Sequence, residues 1–169
     1  MRRQPFAFHP ADRSRGPLPL TYLPGVIVSL HVATGATGGV LAGSRVRSLP
    51  LGLLLHLAGD AMPHEDIFDR RFEIGSGVAA VLLLAAARGP LDPAVTGALA
   101  ASAPDIEHVV RLPRPGGRKL FPTHRLRGWH RSGGMSAPLQ LVVAGFLIGS
   151  LLVGGCWRPR RRFSTETSS

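Results

Sequence analysis

The sequence predicts an all-α fold: a multi-pass membrane helical bundle with short apolar helices and polar metal-binding loops. Three observations predict it. The chain is 44% hydrophobic but only 6% aromatic, and its apolar residues are mostly Ala, Val and Leu interspersed with Gly. That composition suits helices packed closely in a bilayer. The formal net charge is +10, nineteen of the twenty basic residues are Arg, and they gather at the N-terminus, in residues 111–131 and in the tail. Basic segments set apart from apolar ones fit loops beside a membrane. Lastly, six of the seven histidines lie between His31 and His130, and His64 and His108 stand beside acids where apolar segments end.

With 169 residues the chain has the length of one domain. Residues 1–19 read as a flexible basic segment, 20–157 as a single membrane-embedded helical domain, and 158–169 as a basic, disordered tail. No recognised nucleic-acid motif accompanies the charge, so membrane lipids are the expected partners, nucleic acid is not expected, and a homo-oligomer is compatible with the pattern. One cysteine, Cys156, excludes an intrachain disulfide.

Residues 20–43 form the first apolar segment, entered at Pro24 and lined by Gly35, Gly38, Gly39 and Gly43. Its basic approach resembles a signal peptide, but no small-x-small cleavage site follows, so a retained span is expected. His31 is the one side chain in it that can carry charge near neutral pH, and such a group in an apolar span points to function. After Arg45 and Arg47, residues 48–62 form a second, short apolar segment. Pro63 disfavours helical geometry at Met62, so the helix ends there. Residues 64–73 read as a polar loop, and 74–87 as a third short apolar segment. Asp92-Pro93 starts a fourth helix, with Asp as cap and Pro at the first position. It runs into Pro104-Asp105-Ile106-Glu107-His108, which echoes the Pro63-His64-Glu65-Asp66 stretch as a weak internal repeat. Pro and Gly break the basic loop 111–134, and 136–155 is an uncharged segment of spanning length. Five crossings would put loops 63–74 and 104–135 on one face.

The central stretch is Leu55 to Asp66. It presents His56, Asp60 and His64 at steps of four, which share one face of a helix. Imidazole nitrogen and carboxylate oxygen in that arrangement can serve one divalent metal. The plainer readings are a His56–Asp60 pair joining two helices, a solvated acidic loop, and arginines on anionic lipid headgroups.

Together, His31, the Pro104 to His108 stretch, and His124-Arg125 with His130-Arg131-Ser132 resemble the motifs of the bacterial inner-membrane metal-dependent hydrolase family, also described as LexA-binding hydrolases. Glu107 stands where that family usually has Asp, and the two late histidines are six apart rather than about five. His56 to His64 is also similar to the His-x-x-x-Asp metal motif of zinc-dependent phospholipase C proteins. The resemblance covers roughly residues 31–132. It implies metal-assisted hydrolysis at a bacterial inner membrane. Zinc, with manganese as alternative, would be held from among His31, His56, Asp60, His64, Asp105, His108, His124 and His130. Asp66 or Glu107 would act as general base or orient a ligand histidine, and Arg125 and Arg131 would hold a phosphate. The alternative is a non-catalytic membrane scaffold with a structural metal or ion-pair site.

Overall fold

The computed structural model describes residues 28–65, 67, 69–110, 112–113, 115–117, 119–121, 124 and 133–156. Asp66, Arg125, His130 and Arg131 lie outside the described residues, as do residues 1–27 and 157–169.

The described chain is helical. In order come α1 (Val28–Ala42), α2 (Arg45–Ala61), α3 (Arg70–Arg88), α4 (Pro93–Ser102), a 3-10 turn (Ala103–Asp105), a one-turn α5 (Ile106–Val109), a second 3-10 turn (Pro115–Gly117) and α6 (Ala137–Cys156). Among the described residues the β-type pairing is a single parallel bridge between His64 and Met135. Helix ends follow local chemistry. Ser44 caps α2 by accepting from Arg47 N–H, and Asp92 caps α4 by accepting from Ala94 N–H, with Pro93 at the first position as its sequence predicts. Asp69 caps α3 through Arg71 and Phe72 N–H. The charged residues 70–73, read from sequence as loop, are therefore the first turn of that helix.

Helix α1 is the hub, packing against α2, α3, α4 and α6. The tightest contact is with α4, and glycine makes it possible. A Cβ on Gly97 would lie 2.2 Å from the Gly35 carbonyl oxygen, and one on Gly39 would lie 2.0 Å from that of Pro93. The two backbones therefore touch, and Val32, Ala33, Ala36, Ala94, Val95 and Ala98 close the surrounding core with Leu84 and Ile148. Ser48, fully buried, donates to the Gly39 carbonyl and ties α2 to the same place. At the far end Arg88 donates to Asp92 and to the Leu151 carbonyl, joining α3 to α6.

The expected multi-pass membrane bundle does not stand. Among the described residues one helix, α6, is long and apolar enough to cross a membrane, over Ala137–Gly154 at mean hydropathy 2.0. At about 1.5 Å per residue, α1 and α4 extend only about 22 and 15 Å, against about 30 Å of hydrocarbon. Helix α2 carries Arg45, Arg47, His56 and Asp60, and α3 carries Arg70, Arg71, Glu73 and Arg88. The small apolar residues that read as lipid-packing surface serve instead for contact between short helices.

Gly97→Val should therefore destabilise the fold by about 3 kcal/mol, since neither backbone can retreat from the added methyls. Gly145→Ala on α6, where an added Cβ meets nothing within 4 Å, should be neutral or stabilise by about 0.5–1 kcal/mol. Denaturant unfolding of the two variants beside wild type checks the contrast.

Candidate metal centre

Four segments bring ionisable side chains to one point. His31 comes from the first turn of α1, beside the buried Val32 and Ala33. His56 and Asp60 come from α2, one turn apart and both almost wholly buried at 1% and 2% exposure. Asp105 ends the 3-10 turn that Pro104 helps to form, and Glu107 and His108 follow on α5. His124 arrives from the basic loop. His31 can approach α2 because residue 59 is glycine: a Cβ there would sit 2.7 Å from His31 Cε1.

Asp60 lies at the centre. Its Oδ1 is 3.4 Å from His31 Nε2, and its Oδ2 is 3.2 Å from His56 Nε2 and 3.8 Å from His124 Nε2. Asp105 faces the same rings, with Oδ2 3.8 Å from His56 Nδ1 and Oδ1 3.9 Å from His124 Nε2. These separations are informative. Ligand atoms about 2.1 Å from a tetrahedral ion stand about 3.4 Å from one another. Both Asp105 oxygens and the Nε2 atoms of His108 and His124 are buried without a hydrogen bond. Buried polar atoms are nearly always paired, so a set of them converging on one point has the chemistry of a cation site. Three overlapping sets have their ligand atoms within 4.8 Å of one another: His31, His56 and Asp105; His56, Asp60 and His124; Asp105, His108 and His124. The donor set fits a divalent metal.

Glu107 completes the arrangement without facing its centre. One carboxylate oxygen accepts from His124 Nδ1–H and the other from Leu120 N–H. This fixes the His124 tautomer and leaves Nε2 as the lone-pair nitrogen aimed at Asp60 and Asp105. A carboxylate behind a histidine is the usual partner of a metal-ligating imidazole.

The electrostatics follow from burial and pairing. Burial lowers the affinity of His31 for a proton. Burial acts on His56 in the same direction, but Asp60 and Asp105 outweigh it and raise its pKa. Burial opposes ionisation of Asp60, yet His31 and His56 hold it well below the usual carboxylate range. Asp105 is pushed up to about 7 by burial, reinforced by the Asp60 and Glu107 charges and opposed by His56. His108 is pulled down to about 4 by burial, Lys119 and His124. Burial also lowers His124, against the pull of Glu107.

Of the residues picked out by sequence, the structure unites His31, His56, Asp60, Asp105, His108 and His124, with Glu107 behind them. His64 stands apart. Its Nδ1 donates to the Met62 carbonyl at 2.7 Å, and its ring lines a cavity beside His31. It left the ideal helical face because α2 ends at Ala61, with Met62 extended. Asp66, His130, Arg125 and Arg131 are outside the described residues. Sequence reasoning missed Gly59, whose contact with His31 joins distant segments, and the hydrogen bond from Leu120. It also missed Arg70, which donates to the His108 carbonyl across the site. Compared with protein-family models, curated proteins and solved structures, the chain has no match.

Glu107→Gln should lower zinc affinity tenfold to a hundredfold while leaving helical content unchanged, measured by competition with a chromogenic chelator and circular dichroism. Metal uptake must also displace protons from Asp105 and His56. Apparent affinity should then fall as pH drops below about 7, by up to about tenfold per pH unit for each proton displaced. The same chelator titration at pH 6, 7 and 8 reads this slope.

Proposed function

We propose that the protein is a metal-dependent hydrolase whose centre is built on His56, Asp60, Asp105 and His124, with His31 and His108 at its two ends. The observation that carries this reading is the convergence of carboxylate and imidazole atoms from four segments of the chain, with those of His56, Asp105, His108 and His124 including buried atoms without a hydrogen bond. Their mixed nitrogen and oxygen character favours zinc, with manganese as the alternative. A divalent ion held by these residues would lower the pKa of bound water from about 15.7 toward about 7 and so supply hydroxide at neutral pH.

The chain's own residues supply the rest. Glu107 has both oxygens engaged, so its part is to orient His124. Asp60 stays ionised and gives the centre its negative charge. His56 and Asp60 are closed from solvent, and the His124 side chain is 7% exposed. The resemblance to the inner-membrane hydrolase family agrees with this chemistry. It also supports a position at a bacterial inner membrane, where α6 would serve as anchor and a phosphoester or lipid-like molecule as substrate. Leu139, Val142, Phe146 and Val153 on α6 are exposed, as an anchor requires.

One observation favours a second reading, a structural metal in a non-catalytic scaffold. His56, Asp60 and Asp105 are each no more than 2% exposed, and structural zinc sites are closed by four protein ligands.

Elemental mass spectrometry of purified wild type, Asp60→Ala and His124→Ala tests the centre. Stoichiometric zinc or manganese is expected in wild type, with most of it lost from both variants. Hydrolysis of p-nitrophenyl phosphoesters should fall by at least about a hundredfold in each. A wild type that holds no metal after reconstitution refutes the hydrolase. Tightly held metal with no turnover of any ester supports the scaffold.

A further inference from the structure

Beside the metal centre lies a cavity of about 150 Å³. It opens between α1, α2 and the bridge that pairs His64 with Met135. Its walls are mainly Leu30, Leu55, Ala58, Met62, Pro63 and Met135. Most donors bordering it are committed elsewhere, while Gln140 Oε1 is buried without a hydrogen bond. Gln140 donates to the Glu65 and Met135 carbonyls, Thr34 to those of Leu30 and His31, and His64 to that of Met62. A mainly apolar recess of about this size has room for a benzene-sized molecule.

One wall residue connects the cavity to the chemistry. His31 lines it and also places Nε2 3.4 Å from Asp60 Oδ1. A molecule seated there is in contact with a residue of the candidate metal set. Gly59 sits at the same junction, where its missing side chain leaves room for the His31 ring.

We propose that this cavity binds the apolar part of the molecule on which the metal centre acts, an aliphatic or aromatic group of about six carbons. The inference rests on the hydrolase reading. It names the substrate class as one with a compact apolar group next to the polar group that meets the metal. A long unbranched lipid tail would overrun the enclosed volume and continue through the open side.

Straight-chain hydroxamic acids test this, because the hydroxamate binds the metal and the tail is free to vary. Affinities are measured by isothermal titration from two to ten carbons, on the full chain in metal-loaded and metal-stripped form. In the loaded protein, affinity should rise by about fourfold per added methylene up to about six carbons and then level off. Ala58→Leu, at a solvent-exposed position in the cavity wall, should flatten the rise while leaving acetohydroxamate affinity and metal content unchanged. Acetohydroxamate binding with no dependence on chain length overturns the cavity proposal and leaves the metal reading standing. A rise that Ala58→Leu does not alter also overturns it. A rise that is the same in loaded and stripped protein, with no acetohydroxamate binding, sinks the metal reading and the cavity's role in hydrolysis together.

Discussion

The constraint on which this molecule turns is the Asp60 carboxylate, ionised and almost wholly removed from water between imidazoles of two helices. An isolated buried carboxylate is so unfavourable that it ordinarily takes up a proton. Asp60 does the opposite, because His31 on α1 and His56 on α2 lie on either side of it. Asp105, a few ångströms away, takes the other course and holds its proton to near neutrality. Two carboxylates facing the same rings cannot both ionise freely without a further positive charge. A divalent ion would supply that charge and satisfy the oxygens and nitrogens that the chain leaves without hydrogen bonds. The local chemistry thus favours a cation on grounds independent of any motif.

That chemistry depends on backbone contact elsewhere. His31 and His56 bring their ring centroids to 4.4 Å only because α1 and α2 approach closely, and Gly59 removes the side chain that would block His31. Asp105 follows α4, whose backbone touches α1 at Gly35, Gly39 and Gly97. A single glycine changed to a larger residue in these contacts would separate the ligands as well as loosen the core. Packing and site geometry are therefore one problem in this fold.

These relations were unevenly legible in the sequence. The step of four between His56 and Asp60 is a property of one helix and could be read directly. So could the start of α4 at Asp92-Pro93 and the end of α2 before Pro63, since proline acts on its immediate neighbours. The number of membrane spans could not. Ala- and Gly-rich helices look alike whether their small residues face lipid or another helix, and only length separates α6 from α1. The pairing of Glu107 with His124 was also hidden. It spans seventeen positions through a Pro- and Gly-rich loop with no periodicity to follow. His64 shows the converse limit. The spacing that put it with His56 and Asp60 assumes a helix that stops at Ala61.

The same break that removes His64 from the centre gives it another use. Past Met62 the chain extends and pairs with the approach to α6: Glu65 N–H donates to the Met135 carbonyl, and Met135 N–H to that of Pro63. Gly134 has φ 93°, a conformation that favours glycine, and an added Cβ there would strike the Pro63 carbonyl at 2.3 Å. Gln140, fully buried, donates to carbonyls on both sides of this bridge. The helix that carries two of the metal-binding candidates is thereby fastened, within five residues of Asp60, to the base of the one described helix with the length and hydropathy to enter a membrane. Any displacement of α6 along its axis must pull on the end of α2, and so on the spacing between Asp60 and His31. The bridge makes the position of α6 a determinant of the centre's geometry, although α6 contributes no side chain to it among the described residues.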